Sequence, residues 1–167
     1  MLLQVEAAYR RTSEVRVLSF DGATLATRAV DTSADGTAAA LAWRGAVDRL
    51  LPSGTNPRAV VVEARLTTST GATYRDLEFL VPPAALDLPD PGVRVVEASP
   101  AADGWRVRLT ADRFAYGVRL SVDGAGARVS DNFFHLLPGD TVAVRVTPEA
   151  PAPDLPARLR VRALRRD

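Results

Sequence analysis

Short runs of alternating apolar and polar residues, each closed by a turn signal, constrain the fold of this chain more than any other feature. From Ala59 to Leu66 every second residue is apolar, and Glu63 and Arg65 take the positions between them. The alternation returns from Thr73 to Val81 after a turn at Gly71. Successive side chains of a strand point to opposite faces of its sheet. The two runs therefore predict an antiparallel hairpin with one buried face, and Glu63 and Arg65 exposed to solvent.

The same pattern recurs along the chain with a spacing that is typical of antiparallel sandwiches. Asp21-Gly22 is a strong hairpin signal, because glycine tolerates positive φ. The segment from Arg44 to Leu51 has helical spacing but is too short to stand alone, and we interpret it as a connecting turn. The other predicted strands lie at residues 3–9, 15–20, 25–30, 37–43, 93–98, 105–110, 116–122, 142–147 and 158–162.

The composition changes abruptly between residues 82 and 92, where four prolines occur. Proline cannot join a central strand, and a proline-rich run is stiff and extended. We therefore predict a domain at residues 1–83, a semi-rigid linker at 84–92 and a second domain at 93–167. Each half has roughly the six or seven strands of one immunoglobulin-like sandwich. The predicted fold class is all-β, with two tandem immunoglobulin-like antiparallel β-sandwiches joined by the Pro-rich linker.

Bulk composition excludes several classes of function. The 167 residues carry a formal net charge of +1, so no overall field attracts nucleic acid or an anionic membrane. All 21 basic residues are arginine, and the absence of cysteine excludes disulfides and thiolate metal sites. No run approaches the roughly 18 apolar residues of a membrane helix, and the start lacks the pattern of a signal peptide. We expect a cytoplasmic rather than a secreted location.

Two sets of residues are candidates for catalysis, and both have a simpler interpretation. His135 is the single histidine, and we interpret it as a half-exposed loop residue rather than a general base. Glu63 and Glu78 are candidates for the two carboxylates, roughly 5–10 Å apart, that a glycosidase needs. Both occupy outward positions of their strands, so we interpret them as solvated. The sequence therefore predicts no catalytic, cofactor-binding or metal-binding residue and no cofactor.

Aromatic and basic side chains are the candidates for ligand binding. Trp105 is in register with Val107 and Leu109, which favours a position in the core. Trp43 is more consistent with a core wall or a plug between domains than with a sugar platform. The outward arginines are consistent with a basic stripe, but interleaved aspartates favour an ordinary solvated face. These arginines are Arg106, Arg108, Arg158, Arg160 and Arg162.

The stretch Ser130–Asp140 combines several turn-forming and core-forming residues. Asp131-Asn132 predicts a turn, and Phe133 or Phe134 anchors the stretch in the core. Pro138-Gly139 predicts a type II turn, in which the glycine takes positive φ. Its expected role is a structural corner rather than a chemical site.

This stretch, SDNFFHLLPGD, resembles the SDNYFDLLPGE signature near the C-terminus of β-mannosidases of glycoside hydrolase family 2. Phe134 and His135 stand where the signature has an aromatic–acid pair, and Asp140 replaces its glutamate. Residues 109–120 resemble a strand of the same terminal immunoglobulin-like domain. Residues 79–89 resemble the connector that joins it to the penultimate immunoglobulin-like domain.

The resemblance implies that a parent enzyme hydrolyses terminal β-D-mannosides with retention, and that these domains brace its catalytic barrel or flank the entrance. The barrel with its two glutamates is not in this chain, so no catalytic residue is carried over. The expected partner is the catalytic domain of the parent enzyme, with a glycan as a second candidate and neither nucleic acid nor membrane. The first domain is expected to lack its opening strand. A stand-alone carbohydrate-binding or protein-interaction β-sandwich remains the alternative.

Overall fold

A computed structural model describes residues 11–32, 49–68, 71–124 and 126–165, and the chain divides into two compact units. The first unit contains Met1–Ser19 and Ala23–Asp87, and the second contains Phe20–Gly22 and Leu88–Asp167. The strands predicted at residues 3–9 and 37–43 lie outside the described residues, as does most of the segment from Arg44 to Leu51.

The described part of the first unit forms one four-stranded antiparallel sheet in the order β2-β1-β3-β4. Both predicted hairpins are present, because β1 pairs antiparallel with β2, and β3 with β4. The strands are β1 (Arg11–Ser19), β2 (Thr24–Thr32), β3 (Val60–Thr68) and β4 (Thr73–Glu78).

Both faces of the central strands β1 and β3 are buried. One face carries the predicted apolar set, in which Val17 pairs with Val62 and packs with Val15, Val60 and Leu50. The other face carries Leu18, Val61 and Glu63, and the last two have no exposed surface. The period-two pattern therefore identified the strands correctly, but the face expected to be solvated is covered as well.

The described part of the second unit contains seven strands in two sheets. One sheet has the order β5-β6-β10-β8, and the other has the order β11-β7-β9. The strands are β5 (Arg94–Ala101), β6 (Gly104–Thr110), β7 (Ala115–Val122), β8 (Ala127–Val129), β9 (Phe134–Leu136), β10 (Thr141–Pro148) and β11 (Leu159–Arg162), and a single helical turn α1 (Leu155–Arg158) precedes β11.

The core of the second unit is filled from both of its sheets. Leu109 and Val144 come from the four-stranded sheet, and Val118, Leu120 and Leu136 come from the three-stranded sheet. All five belong to one cluster of buried side chains. Two antiparallel sheets that share one core form a β-sandwich, and the all-β prediction is confirmed.

The turn that enters β10 has the predicted geometry. The Asp140 amide donates to the Leu137 carbonyl at 3.0 Å, and Gly139 between them has φ 79. A proline followed by a glycine at positive φ is the pattern of a type II turn. A Cβ on Gly139 would meet no atom within 4 Å, so the backbone conformation alone requires glycine here.

We expect Gly139→Val to lower the free energy of unfolding by about 1–2 kcal/mol, because a β-branched residue is strained at positive φ. Urea denaturation measures the change. Gly139→Asn is the control and should lose less, since asparagine tolerates the left-handed region. Equal stability of the valine variant and the original chain would contradict the backbone requirement.

Candidate functional site

The corner at Ser130–Asp140 is held by side chains that take the place of strand pairing. The Asn132 Oδ1 accepts a hydrogen bond from the Leu120 amide at 2.7 Å, and its Nδ2 donates to the Leu120 carbonyl at 3.2 Å. A side-chain amide has one acceptor group and one donor group, so it pairs with a backbone residue as a neighbouring strand would. Asn132 thereby fixes the corner against β7.

Phe133 is the unusual residue of this corner. Its φ of 64 is the only positive value among the described non-glycine residues, and its side chain is 67% exposed. Its amide donates to the Val118 carbonyl at 2.7 Å, so the backbone conformation is fixed. The prediction that Phe133 or Phe134 anchors the corner in the core holds for Phe134 alone, which packs against the buried cluster.

His135 lies half-buried in β9 and faces a bulge in β7. The register of the two strands shifts between Ala115 and Val118, and Gly117 within the shift has φ 58. The Gly117 amide donates to Nδ1 of His135 at 3.0 Å. Burial lowers the pKa of His135 below its usual value. The imidazole therefore stabilises the bulge in its neutral form.

The two candidate carboxylates point to opposite faces of the first unit's sheet. In the β3–β4 pairing Glu63 lies opposite Leu77, while Glu78 lies opposite Val62. Directly paired residues share a face, and neighbours along a strand do not. Glu63 and Glu78 therefore do not form the pair of carboxylates that a glycosidase needs.

The prediction that Glu63 is solvated is wrong, because its side chain is completely buried. Its Oε2 accepts hydrogen bonds from Nε of Arg16 at 2.7 Å and from Nη2 of the same residue. The guanidinium nitrogens of Arg65 and Arg75 lie 3.3 Å and 3.9 Å from its Oε1. The three guanidinium groups supply the counter-charge that a buried carboxylate requires. The period-two pattern gave no sign of this burial.

One of the two tryptophans, Trp105, lies in the part of the chain that the structure describes. Trp105 is partly buried against the core of the second unit, on the side that the sequence predicts. Trp43 lies outside the described residues.

The five outward arginines weighed as a possible basic stripe belong to different sheets. Arg106 and Arg108 are on β6, whereas Arg160 and Arg162 are on β11 and Arg158 ends the helical turn before it. Near β6 an open polar groove of about 470 Å³ is lined by Glu97, Ser99, Arg106, Arg108, Thr141 and Ala143.

The groove is lined by two arginines and one carboxylate, and that carboxylate is paired with one of the arginines. Arg108 donates to Glu97 at 2.9 Å and holds the pKa of that carboxyl below its usual value. The described residues contain no group of three or more potential metal ligands. No helix among them is long and apolar enough to cross a membrane.

Comparisons with known domain families cover nearly all of the chain. Residues 5–83 match the family described as the mannosidase Ig/CBM-like domain, and residues 88–167 match the Ig-fold domain family Ig_mannosidase. The chain belongs to the mannosidase-type immunoglobulin-like domains. This membership confirms the predicted pair of tandem immunoglobulin-like domains and the predicted resemblance to the C-terminal part of a glycoside hydrolase family 2 enzyme.

Solved structures with the same fold are glycosidases. The β-D-mannosidase of Dictyoglomus thermophilum has a TM-score of 0.64 at 13% identity, over 95% of this chain and 19% of that chain. The exo-chitosanase CsxA of Amycolatopsis orientalis has a TM-score of 0.57 at 18% identity, over 97% of this chain and 24% of that chain. The mannosidase-type domains thus span about a fifth to a quarter of these enzymes. No curated protein sequence matches the chain.

We expect Glu63→Gln to lower the free energy of unfolding by about 2 kcal/mol, because it leaves the guanidinium groups without their carboxylate. This loss is smaller than the roughly 3–5 kcal/mol that removing one partner of a fully buried ion pair costs, since the arginines still contact water. Chemical denaturation measures it. Glu78→Gln, on the opposite face of the same hairpin, is the matched control and should change stability by less than about 0.5 kcal/mol. An equal effect of the two variants would contradict the role of Glu63.

The stability of the second unit should fall as the pH drops below about 6.5, the pKa of an unfolded histidine. The folded pKa of His135 is lower, so the unfolded chain binds the proton more readily and acid favours unfolding. Above about pH 6.5, His135 is neutral in both states and makes its full contribution to the stability. Urea denaturation at pH 7.5 and 5.5 measures the difference.

His135→Asn is the control for this prediction, because its Oδ1 also accepts a hydrogen bond but does not titrate. His135 is the single histidine, so most of the difference in the free energy of unfolding between the two pH values should disappear in the variant. An unchanged pH dependence would show that the effect arises elsewhere.

Proposed function

We propose that this chain is a non-catalytic accessory region of a β-mannosidase-like glycoside hydrolase. The observation that carries the proposal is the order of the two matches, the mannosidase Ig/CBM-like domain at residues 5–83 followed by the Ig-fold domain at 88–167. The proposed parent hydrolyses terminal β-D-mannosides. The proposed boundaries are a domain at 1–83, a linker at 84–92 and a domain at 93–167.

Two further observations support a role without catalysis. The chain spans only 19% and 24% of two glycosidases with the same fold, which leaves most of each enzyme for other domains. Glu63, the buried carboxylate of the first unit, is neutralised by three arginines and lies on the opposite face from Glu78. Bracing a catalytic barrel or flanking its entrance is the function that fits these features. The proposed partner is that catalytic domain.

The test compares the purified chain with a longer product of the same reading frame. We expect no hydrolysis of an aryl β-D-mannoside by the chain alone, and a reading frame that continues into a catalytic barrel. The longer product should hydrolyse the aryl β-D-mannoside. Turnover that co-elutes with the chain in size-exclusion chromatography would contradict the accessory role. A reading frame without a barrel would favour the stand-alone binding or interaction module instead.

A further inference from the structure

A groove crosses the four-stranded sheet of the second unit, on the face that points away from the core. Its volume of about 470 Å³ lies within the range of roughly 300–1,000 Å³ that is usual for ligand pockets. Three adjacent strands line it, and we call it the β6 groove after the central strand. Its lining residues are Glu97 and Ser99 from β5, Arg106 and Arg108 from β6, and Thr141 and Ala143 from β10.

The pairing of the three strands brings these side chains together. Glu97 lies opposite Arg108, and on the other side of β6 Arg108 lies opposite Ala143. Ser99 lies opposite Arg106. Directly opposed residues of an antiparallel sheet share a face. The β6 groove is therefore built on paired strands, which hold side chains more precisely than loops do.

A β-bulge in β5 determines which face of the sheet Glu97 occupies. The register of β5 against β6 shifts at Val96, so Glu97 lies opposite Arg108. Without the shift Glu97 would lie opposite Val107, whose side chain is completely buried in the core. The extra residue Val96 keeps 48% of its surface in solvent as a result. Bulges that re-aim a side chain in this way are common beside functional sites.

The shape of the groove follows from the lengths of its side chains. Ala143, Ser99 and Thr141 are short and leave space above the sheet, whereas the two arginines and Glu97 are long and rise on either side of it. The aliphatic stems of the arginines add apolar surface to a lining that is otherwise polar. The groove thus offers hydrogen-bonding groups together with a small apolar floor.

Both arginines of the groove act on the carboxylate of Glu97. Arg108 donates to Glu97 at 2.9 Å, and this hydrogen bond lowers the pKa of the carboxyl below its usual value. A hydrogen bond from Ser99 and the charge of Arg106 lower the same pKa. The carboxylate of Glu97 therefore stays ionised and only accepts hydrogen bonds, while the guanidinium groups beside it only donate.

This arrangement favours a neutral ligand that carries hydroxyl groups. A hydroxyl both donates and accepts hydrogen bonds, so neighbouring hydroxyls match a carboxylate that lies beside a guanidinium. An anion that approaches the arginines meets the carboxylate of Glu97, and a cation that approaches Glu97 meets the arginines. The centre of a protein interface is apolar and rich in aromatic residues, which differs from this lining. Saccharides are the neutral ligands in which hydroxyl groups occur on adjacent carbon atoms.

We propose that the β6 groove binds a neutral oligosaccharide. Hydroxyl groups of the sugar donate to the Glu97 carboxylate and accept from the Arg108 guanidinium. The bond between these two groups remains, since each has further hydrogen-bonding positions. Ser99 and Thr141 supply two more hydroxyl groups, and Ala143 contacts the sugar carbons. This proposal concerns binding by the chain itself and does not depend on the activity of a parent enzyme.

An NMR titration of the isotope-labelled chain with mannotriose tests the proposal. We expect saturable binding in the millimolar range, because each new hydrogen bond replaces one to water. The largest shifts should occur at the backbone amides of Ser99, Arg108 and Ala143. Affinity should change by less than about twofold between about 50 and about 500 mM salt, because salt screens charges and the ligand carries none.

Two charged trisaccharides test the preference for a neutral ligand. Tri-galacturonate is anionic and the trisaccharide of glucosamine is cationic. Each should bind the original chain at least about threefold more weakly than mannotriose, because each meets a like charge in the groove. Tighter binding of either one would show that the groove recognises charge, and would overturn the proposal.

Two variants and one control identify the site. Arg108→Gln removes the guanidinium that bonds to Glu97, and Ala143→Leu fills the floor of the groove. Each should weaken mannotriose binding at least about fivefold, and neither should change the melting temperature much, because both positions are exposed. Arg162→Gln removes an exposed arginine from the other sheet and should leave the affinity unchanged.

Glu97→Gln separates a role in binding from a role in structure. The amide keeps the size of the side chain but removes its charge, so the two arginines of the groove are left without their carboxylate. Tri-galacturonate should then bind at least about threefold more tightly than it binds the original chain, while mannotriose binds more weakly. A purely structural role of Glu97 would not reverse the preference between these two sugars.

Two further outcomes would overturn the proposal. One is the absence of a saturable shift when mannotriose is added to the original chain. The other is unchanged affinity in the Ala143→Leu variant, which would place the binding elsewhere. If a variant lowers the melting temperature, the positions of the shifted amides in the original chain decide the question.

Discussion

The three-stranded sheet of the second unit depends on the side-chain amide of Asn132. Strand β9 is only three residues long and begins at Phe134, so the buried Leu120 of β7 has no strand partner on the β9 side. An unpaired buried amide or carbonyl costs about 1–3 kcal/mol, and Asn132 satisfies both. The chain then bends at Phe133, which takes a left-handed conformation, and joins the sheet as β9. Two residues later His135 supports the bulge at Gly117 in a similar way.

The distribution of carboxylates explains how a chain rich in arginine forms sheets. Arginine supplies all of the basic side chains, and many lie on strands where they face one another. Glu63 shows the strongest form of compensation, because a fully buried carboxylate is surrounded by guanidinium groups from three strands. Its burial is tolerated because those groups replace the water that the charge has lost. The carboxylates of Asp21, Asp87, Glu97, Asp103, Asp112 and Asp123 form ion pairs that remain exposed and contribute little to stability.

The sequence predicted most of the described strands, though not β8 and β9, and the turn at Gly139, because both depend on local rules. Period-two alternation follows from backbone geometry, and only a few residues accept positive φ. The prediction from sequence failed where a contact from a distant strand decides whether a side chain is buried or exposed. Glu63 has the spacing of a solvent-facing residue, yet Arg16, 47 residues away in the sequence, helps to bury it. The exposure of Phe133 was missed for the same reason, because the bonds that fix the corner come from Leu120 and Val118 on another strand.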